Sequence, residues 1–163
     1  MANMQPFTGV VREIDYFETQ NTELLGCYKR YSVVDSEGGM INFVIAPATY
    51  FVNGVVVQPG DIITAYYDAD APVPLIYPPR FQAIVVSKQE PNQMVKVDYF
   101  DGDLISSDGT LKLNIGPETK MLLRNGQSFE GNPANRNLIV VYNATTRSIP
   151  AQTTPIQVVV MCR

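Results

Sequence analysis

The side chains that could do chemistry are defined first by a gap: the 163 residues include no histidine. Without imidazole there is no Ser-His-Asp or Cys-His pair, no His-ligated zinc or copper, and no general base titrating near neutrality. Cys27 and Cys162 are far apart, with no metal-type spacing and no Cys-x-x-Cys motif, so redox work has no visible seat. They read as two free, mostly buried thiols of a reducing compartment. Asp68 and Asp70 stand two residues apart, which on an extended strand puts both carboxylates on one side and could begin a hard-cation site. No third acidic residue follows at a fitting spacing, and a polar loop after a strand accounts for the pair. No carboxylate pair is singled out for glycoside chemistry. The sequence therefore predicts no catalytic residue, no cofactor and no metal, and the protein is expected not to be an enzyme.

Recognition is the better prospect. The segment Tyr66 to Phe81 carries four prolines, which remove backbone donors and stiffen a connection. Tyr66, Tyr67, Tyr77 and Phe81 supply flat apolar surface and Arg80 a fork-shaped donor, residue types concentrated at binding hot spots. The competing reading makes the same segment a rigid cap, its aromatics tucked into a core. Phe81, Ala83 and Val85 alternate as one inward face would, which favours the cap for Phe81.

The net charge of −4 argues against nucleic acid or an anionic membrane as the main partner. Residues 1–90 carry five Lys/Arg against ten Asp/Glu, and residues 91–163 seven against six, giving −5 and +1. Lys96, Lys112, Lys120 and Arg124 are the one cluster worth testing as a basic face. The leading expectation is a non-catalytic binding or assembly module for a protein segment or glycan, or for self-association. Single-strand nucleic-acid binding is the alternative, and an enzyme with an acidic cleft the third reading. Surface chemistry discriminates among them. A basic aromatic groove favours nucleic acid, a buried acidic cleft an enzyme, and a flat apolar patch association.

The elements that must position these residues are strands. Turn residues cluster between short apolar alternations, and no stretch carries a helical period. The chain also repeats itself. Tyr31–Val52 aligns with Asp101–Leu122, so that Ser36, Gly39, Ile45, Pro47 and Thr49 recur as Ser106, Gly109, Ile115, Pro117 and Thr119. Ile41, Phe43 and Ile45 fall on Leu111, Leu113 and Ile115 as one buried face. Ile14-Asp15-Tyr16-Phe17 returns as Val97-Asp98-Tyr99-Phe100, and Tyr67-Asp68-Ala69 as Tyr142-Asn143-Ala144. The largest length difference is an insertion over Glu18–Lys29.

Each copy predicts about five strands: Val10–Phe17, Tyr28–Val34, Met40–Ile45, Ile62–Tyr67 and Gln82–Ser87, then Val95–Phe100, Asp103–Ser106, Thr110–Ile115, Leu138–Tyr142 and Ile156–Met161. The fold class is all-β, as two tandem OB-like or small Greek-key barrel units over residues 7–90 and 91–163, either independent or sharing an interface. Closing a barrel removes the edges that invite aggregation.

The run Asn42–Val52, the stretch Gly60-Asp61 to Tyr67-Asp68-Ala69, and the Pro-rich segments Ala71–Pro79 and Ser148–Pro155 together give a family resemblance. The chain resembles a family of short, uncharacterised bacterial proteins with duplicated OB-like units, related to units beside copper-amine-oxidase-like modules in cell-surface proteins. The resemblance implies the fold and no activity. With no signal peptide legible in Met1–Thr8 and no long apolar run, the expected location is the cytoplasm, without a membrane span.

Overall fold

The computed structural model describes residues 3–16 and 26–162. The described residues are strands, turns and loops with no α-helix, and one 3-10 turn at Val52–Gly54. The chain is all-β, and no helix in it is long and apolar enough to cross a membrane among the described residues. It divides into two compact units, Met1–Gln89 and Glu90–Arg163.

Among the described residues the first unit is one seven-stranded sheet. The long strand β1 (Met4–Tyr16) pairs antiparallel with β5 (Ile62–Asp68) along Met4–Val10 and with β2 (Lys29–Val34) along Val10–Tyr16. Gly9 sits where β1 changes partner, and a Cβ there would lie 2.4 Å from the Val34 carbonyl oxygen, so only glycine lets the strands cross so closely. β2 turns into β3 (Met40–Ile45) through Asp35–Gly39. The Asp35 Oδ1 accepts from the Glu37 and Gly39 amides at 3.0 and 2.7 Å, and Gly38 takes φ 87°.

The sheet is completed by β6 (Arg80–Gln82), parallel to β3, and β7 (Val85–Lys88), antiparallel to β5 and parallel to β4 (Tyr50–Phe51). The two are pieces of one bent stretch. The Ala83 amide donates to Val44 O at 3.0 Å and the next amide, Ile84, to Tyr66 O at 2.8 Å, so adjacent residues bond opposite ends of the sheet. The cross-strand row Ile14, Tyr31, Phe43 and Phe81 faces the interior beside Val11, Val33, Ile63 and Ala65.

The second unit is a four-stranded and a two-stranded sheet with four ladders. β8 (Met94–Phe100) pairs antiparallel with β11 (Arg136–Tyr142), which pairs antiparallel with β13 (Gln157–Val160). β10 (Lys120–Leu123) runs parallel to β13, and β12 (Ala151–Thr153) parallel to β9 (Leu111–Leu113). A threonine ties the same corner in both units. Thr49 Oγ1 accepts from the Ala46 amide at 3.0 Å and donates to Ala83 O at 2.8 Å; Thr119 Oγ1 accepts from Gly116 at 3.2 Å and donates to Pro155 O at 2.7 Å. This is the physical content of the shared Pro-x-Thr spacing. A cis peptide precedes Pro78 and Pro150.

Several expectations need correction. The inward series Phe81, Ala83, Val85 breaks at the bend, because Val86 pairs with inward Ala65 while Val85 pairs with Tyr66 on the other face. No strand forms over Asp103–Ser106: Leu104 takes φ 59°, leaving only the bridges Phe100 to Ser106 and Ile105 to Lys112. Register there also overturns the ungapped alignment. Asn42 faces Ser32, ten residues back, while Lys112 faces Ile105, seven back, so Ser36 is an exposed turn residue and Ser106 a buried one. Ile115 is exposed because β9 ends at Leu113. Both cysteines are free and exposed, not buried, Cys27 in a turn and Cys162 past the end of β13. Phe17 and residues 18–25 of the expected insertion lie outside the described residues.

Candidate functional site

The outer face of β1, β2, β3 and β6 is polar by register. Cross-strand partners share a face, so the interior row puts its neighbours outside: Asp15, Arg30, Val44 and Gln82 form one outer row, and Ser32, Asn42 and Arg80 the next. Above them passes the connection between β5 and β6. Together they enclose a groove of about 660 Å³ lined by Tyr16, Arg30, Asn42, Ile76, Tyr77, Pro78 and Arg80.

The floor of this groove offers donors. Arg30 Nη2 is held by Asp15 Oδ2 at 2.7 Å, and its Nε is buried with no hydrogen-bond partner among the described residues. Ser32 Oγ donates to Asn42 Oδ1 at 2.8 Å. That bond identifies the acceptor end of the Asn42 amide and leaves its NH2 as the donor end. Arg80, on the same row as Asn42, adds a second guanidinium. The walls are aromatic and wet: Tyr16 is 74% exposed and Tyr77 84%. None of the seven lining residues is acidic or a cysteine.

The five residues expected to form one contact surface are thus divided. Tyr77 and Arg80 line the groove. Tyr66 is buried on the outer face of β5, opposite Val85. Tyr67 stacks on Phe81 with ring centroids 4.4 Å apart and on Phe43 at 5.6 Å, and burial pushes its phenol pKa up. Phe81 belongs to the interior cluster. The alternation along β5 and β6 separates them, with each ring next to Arg80 or Asp68 taking the face its position dictates. Tyr16, Arg30 and Asn42 were missed. Their signal was available only as register, since the outward residues of β2 and β3 become neighbours of Arg80 once β6 joins β3.

Asp68 and Asp70 make a local turn. Asp68 Oδ1 accepts from the Asp70 amide at 3.0 Å and the Asn3 amide at 3.1 Å, and Asn3 Nδ2 reaches Asp70 at 3.4 Å. No group of three or more acidic or cysteine side chains converges among the described residues.

Nor do the second unit's cations form a face. Lys96 is ion-paired with Asp108, Arg124 donates to Cys162 O at 3.4 Å, and Lys112 sits on β9 beside Gln152. Lys96 and Lys120 lie on β8 and β10, with β11 and β13 between them, about 14 Å apart across the sheet. Asp108 is the most perturbed acid. Burial would raise its carboxyl, but hydrogen bonds from Lys96, Ser106 and Thr110 outweigh that and hold it far below the usual carboxylate range.

No family model matches the sequence, and neither a curated protein nor a solved structure matches it.

Proposed function

We propose that each unit is an OB-type Greek-key barrel, that the second is a copy of the first, and that the protein is a non-catalytic binding module whose ligand lies in the first unit's groove. Support for the barrel is the ring of pairings: a three-strand meander, a fourth strand returning to the first, and a bent last strand joining third to fourth. Support for the copy is that four of the six pairings recur with the same sense among β8 to β13, the two ladders of the meander being reduced to bridges, with Thr119 in the place of Thr49.

The single observation that carries the binding reading is the groove itself. A concave site with exposed tyrosines and directed donors stands on a packed barrel wall, the arrangement that fixes a ligand without reorganising the scaffold. The second unit has no equivalent floor. Lys112 and Gln152 occupy the row corresponding to Asn42 and Arg80, and the strand that would carry a counterpart of Arg30 is reduced to bridges.

A screen of small soluble fragments followed by amide NMR shifts tests this. Perturbations should gather at Arg30, Asn42, Tyr77 and Arg80. A map scattered over both units, or centred on Lys112 and Gln152, overturns the assignment.

A further inference from the structure

The groove's chemistry narrows its ligand. Its lining residues are richer in donors than acceptors: the Arg80 guanidinium, the Arg30 guanidinium already paired with Asp15, and an amide whose oxygen accepts from Ser32. Hydroxyl-rich neutral ligands need acceptors as well as donors, whereas anionic oxygens need only donors. The walls are two exposed tyrosine rings, at the end of β1 and in the β5–β6 connection, so the ligand also carries flat rings. Arg30 and Arg80 stand on β2 and β6 with β3 between them and two residues out of register, about 12 Å apart at the backbone, near enough for their long arms to meet neighbouring anionic groups.

We propose that this groove binds a nucleoside phosphate, with a base stacked on Tyr77 or Tyr16 and phosphate oxygens held by Arg30, Arg80 and the Asn42 amide. The inference rests on the groove being the ligand site. The acidic balance of the chain restricts the footprint rather than forbidding it. Charges beyond about 8 Å are screened at physiological salt, while contacts to the two guanidiniums persist, Arg30 being shared between Asp15 and the phosphate. Binding therefore involves about two phosphates, and lengthening the ligand past a few nucleotides gains nothing. The same chemistry is offered by a free nucleotide and by a short piece of single strand.

Fluorescence anisotropy with labelled hexathymidylate tests it. Saturable binding is expected in about 50 mM salt, with a log K against log salt slope of about −1.4 for two phosphates. Arg80→Gln should halve that slope. Tyr77→Ala should weaken binding about ten-fold or more, with an unchanged thermal midpoint because the ring is 84% exposed. Lys112→Gln should bind as the parent does. Thymidine monophosphate competing as well as the hexamer identifies a free nucleotide as the source, and a hexamer that competes far better identifies a strand. Absence of hexamer binding, or binding indifferent to both Tyr77→Ala and Arg80→Gln, overturns the inference. If a tetragalacturonate chain instead binds, and loses affinity in Tyr77→Ala, the groove stands as the ligand site and the nucleotide falls.

Discussion

Tyr77 and Phe81 flank the same arginine, yet one ring stands in solvent and the other packs on Tyr67 and the interior. Truncation separates them. Phe81→Ala should cost about 3 kcal/mol, the lower end for a core aromatic because the ring is only half-buried, while Tyr77→Ala should stay within about 0.5 kcal/mol. Urea denaturation of both variants beside the parent measures this, and equal costs would contradict the division. Asp108 makes a second residue-level case. Its folded carboxyl titrates below the unfolded value near pH 4, so its stabilising contribution is complete above that pH and is lost as pH falls toward the folded value. Asp108→Asn removes the charge that Lys96 holds. The variant should be less stable than the parent at neutral pH and should lose less stability on acidification to about pH 3, by urea midpoints at both. The difference is small, because the side chain is 45% exposed and water screens the pair.

At the scale of elements, the corners matter more than the strands they join. Thr49 is buried and its hydroxyl serves an amide and a carbonyl at once, so Thr49→Val should cost about 1–3 kcal/mol by orphaning the Ala46 amide and the Ala83 carbonyl. Thr119→Val should cost less, since that site is partly open. Gly9→Ala should be as damaging as a core change, because the new methyl meets backbone rather than a yielding side chain. Thermal midpoints of the three variants rank these effects. What the sequence made legible follows the same line. Met40–Ile45 alternates strictly and formed as expected, and the turn with Asp35 and the paired glycines Gly38 and Gly39 announced its hairpin. The closing stretch was read as a single strand from Gln82 because its apolar run is continuous. Its bend at Ala83 and Ile84 is set by two different partners, which no local pattern encodes. The short strands β4 and β12 were invisible for the same reason: two or three residues carry no period.

For the whole molecule, summed charge does not describe each stretch of surface. A net of −4 is a property of the entire chain, whereas the groove draws Tyr16, Arg30, Asn42 and Arg80 from four separate strands and no carboxylate. Distant pairings also govern how quickly such a chain can organise. Both units depend on contacts far apart in sequence, so refolding from urea should show no phase that completes the sheets faster than about a millisecond, by stopped-flow tyrosine fluorescence. The divided pairing of β1 carries this further, into biosynthesis. Val10 faces Ile62 as well as Val34, so β1 has half of its partners only after roughly 50 more residues have left the ribosome, several seconds at ordinary rates. Through that interval the inward side chains Phe7 and Val11 have no core to enter, and the nascent first strand is the segment of this protein that a chaperone would meet.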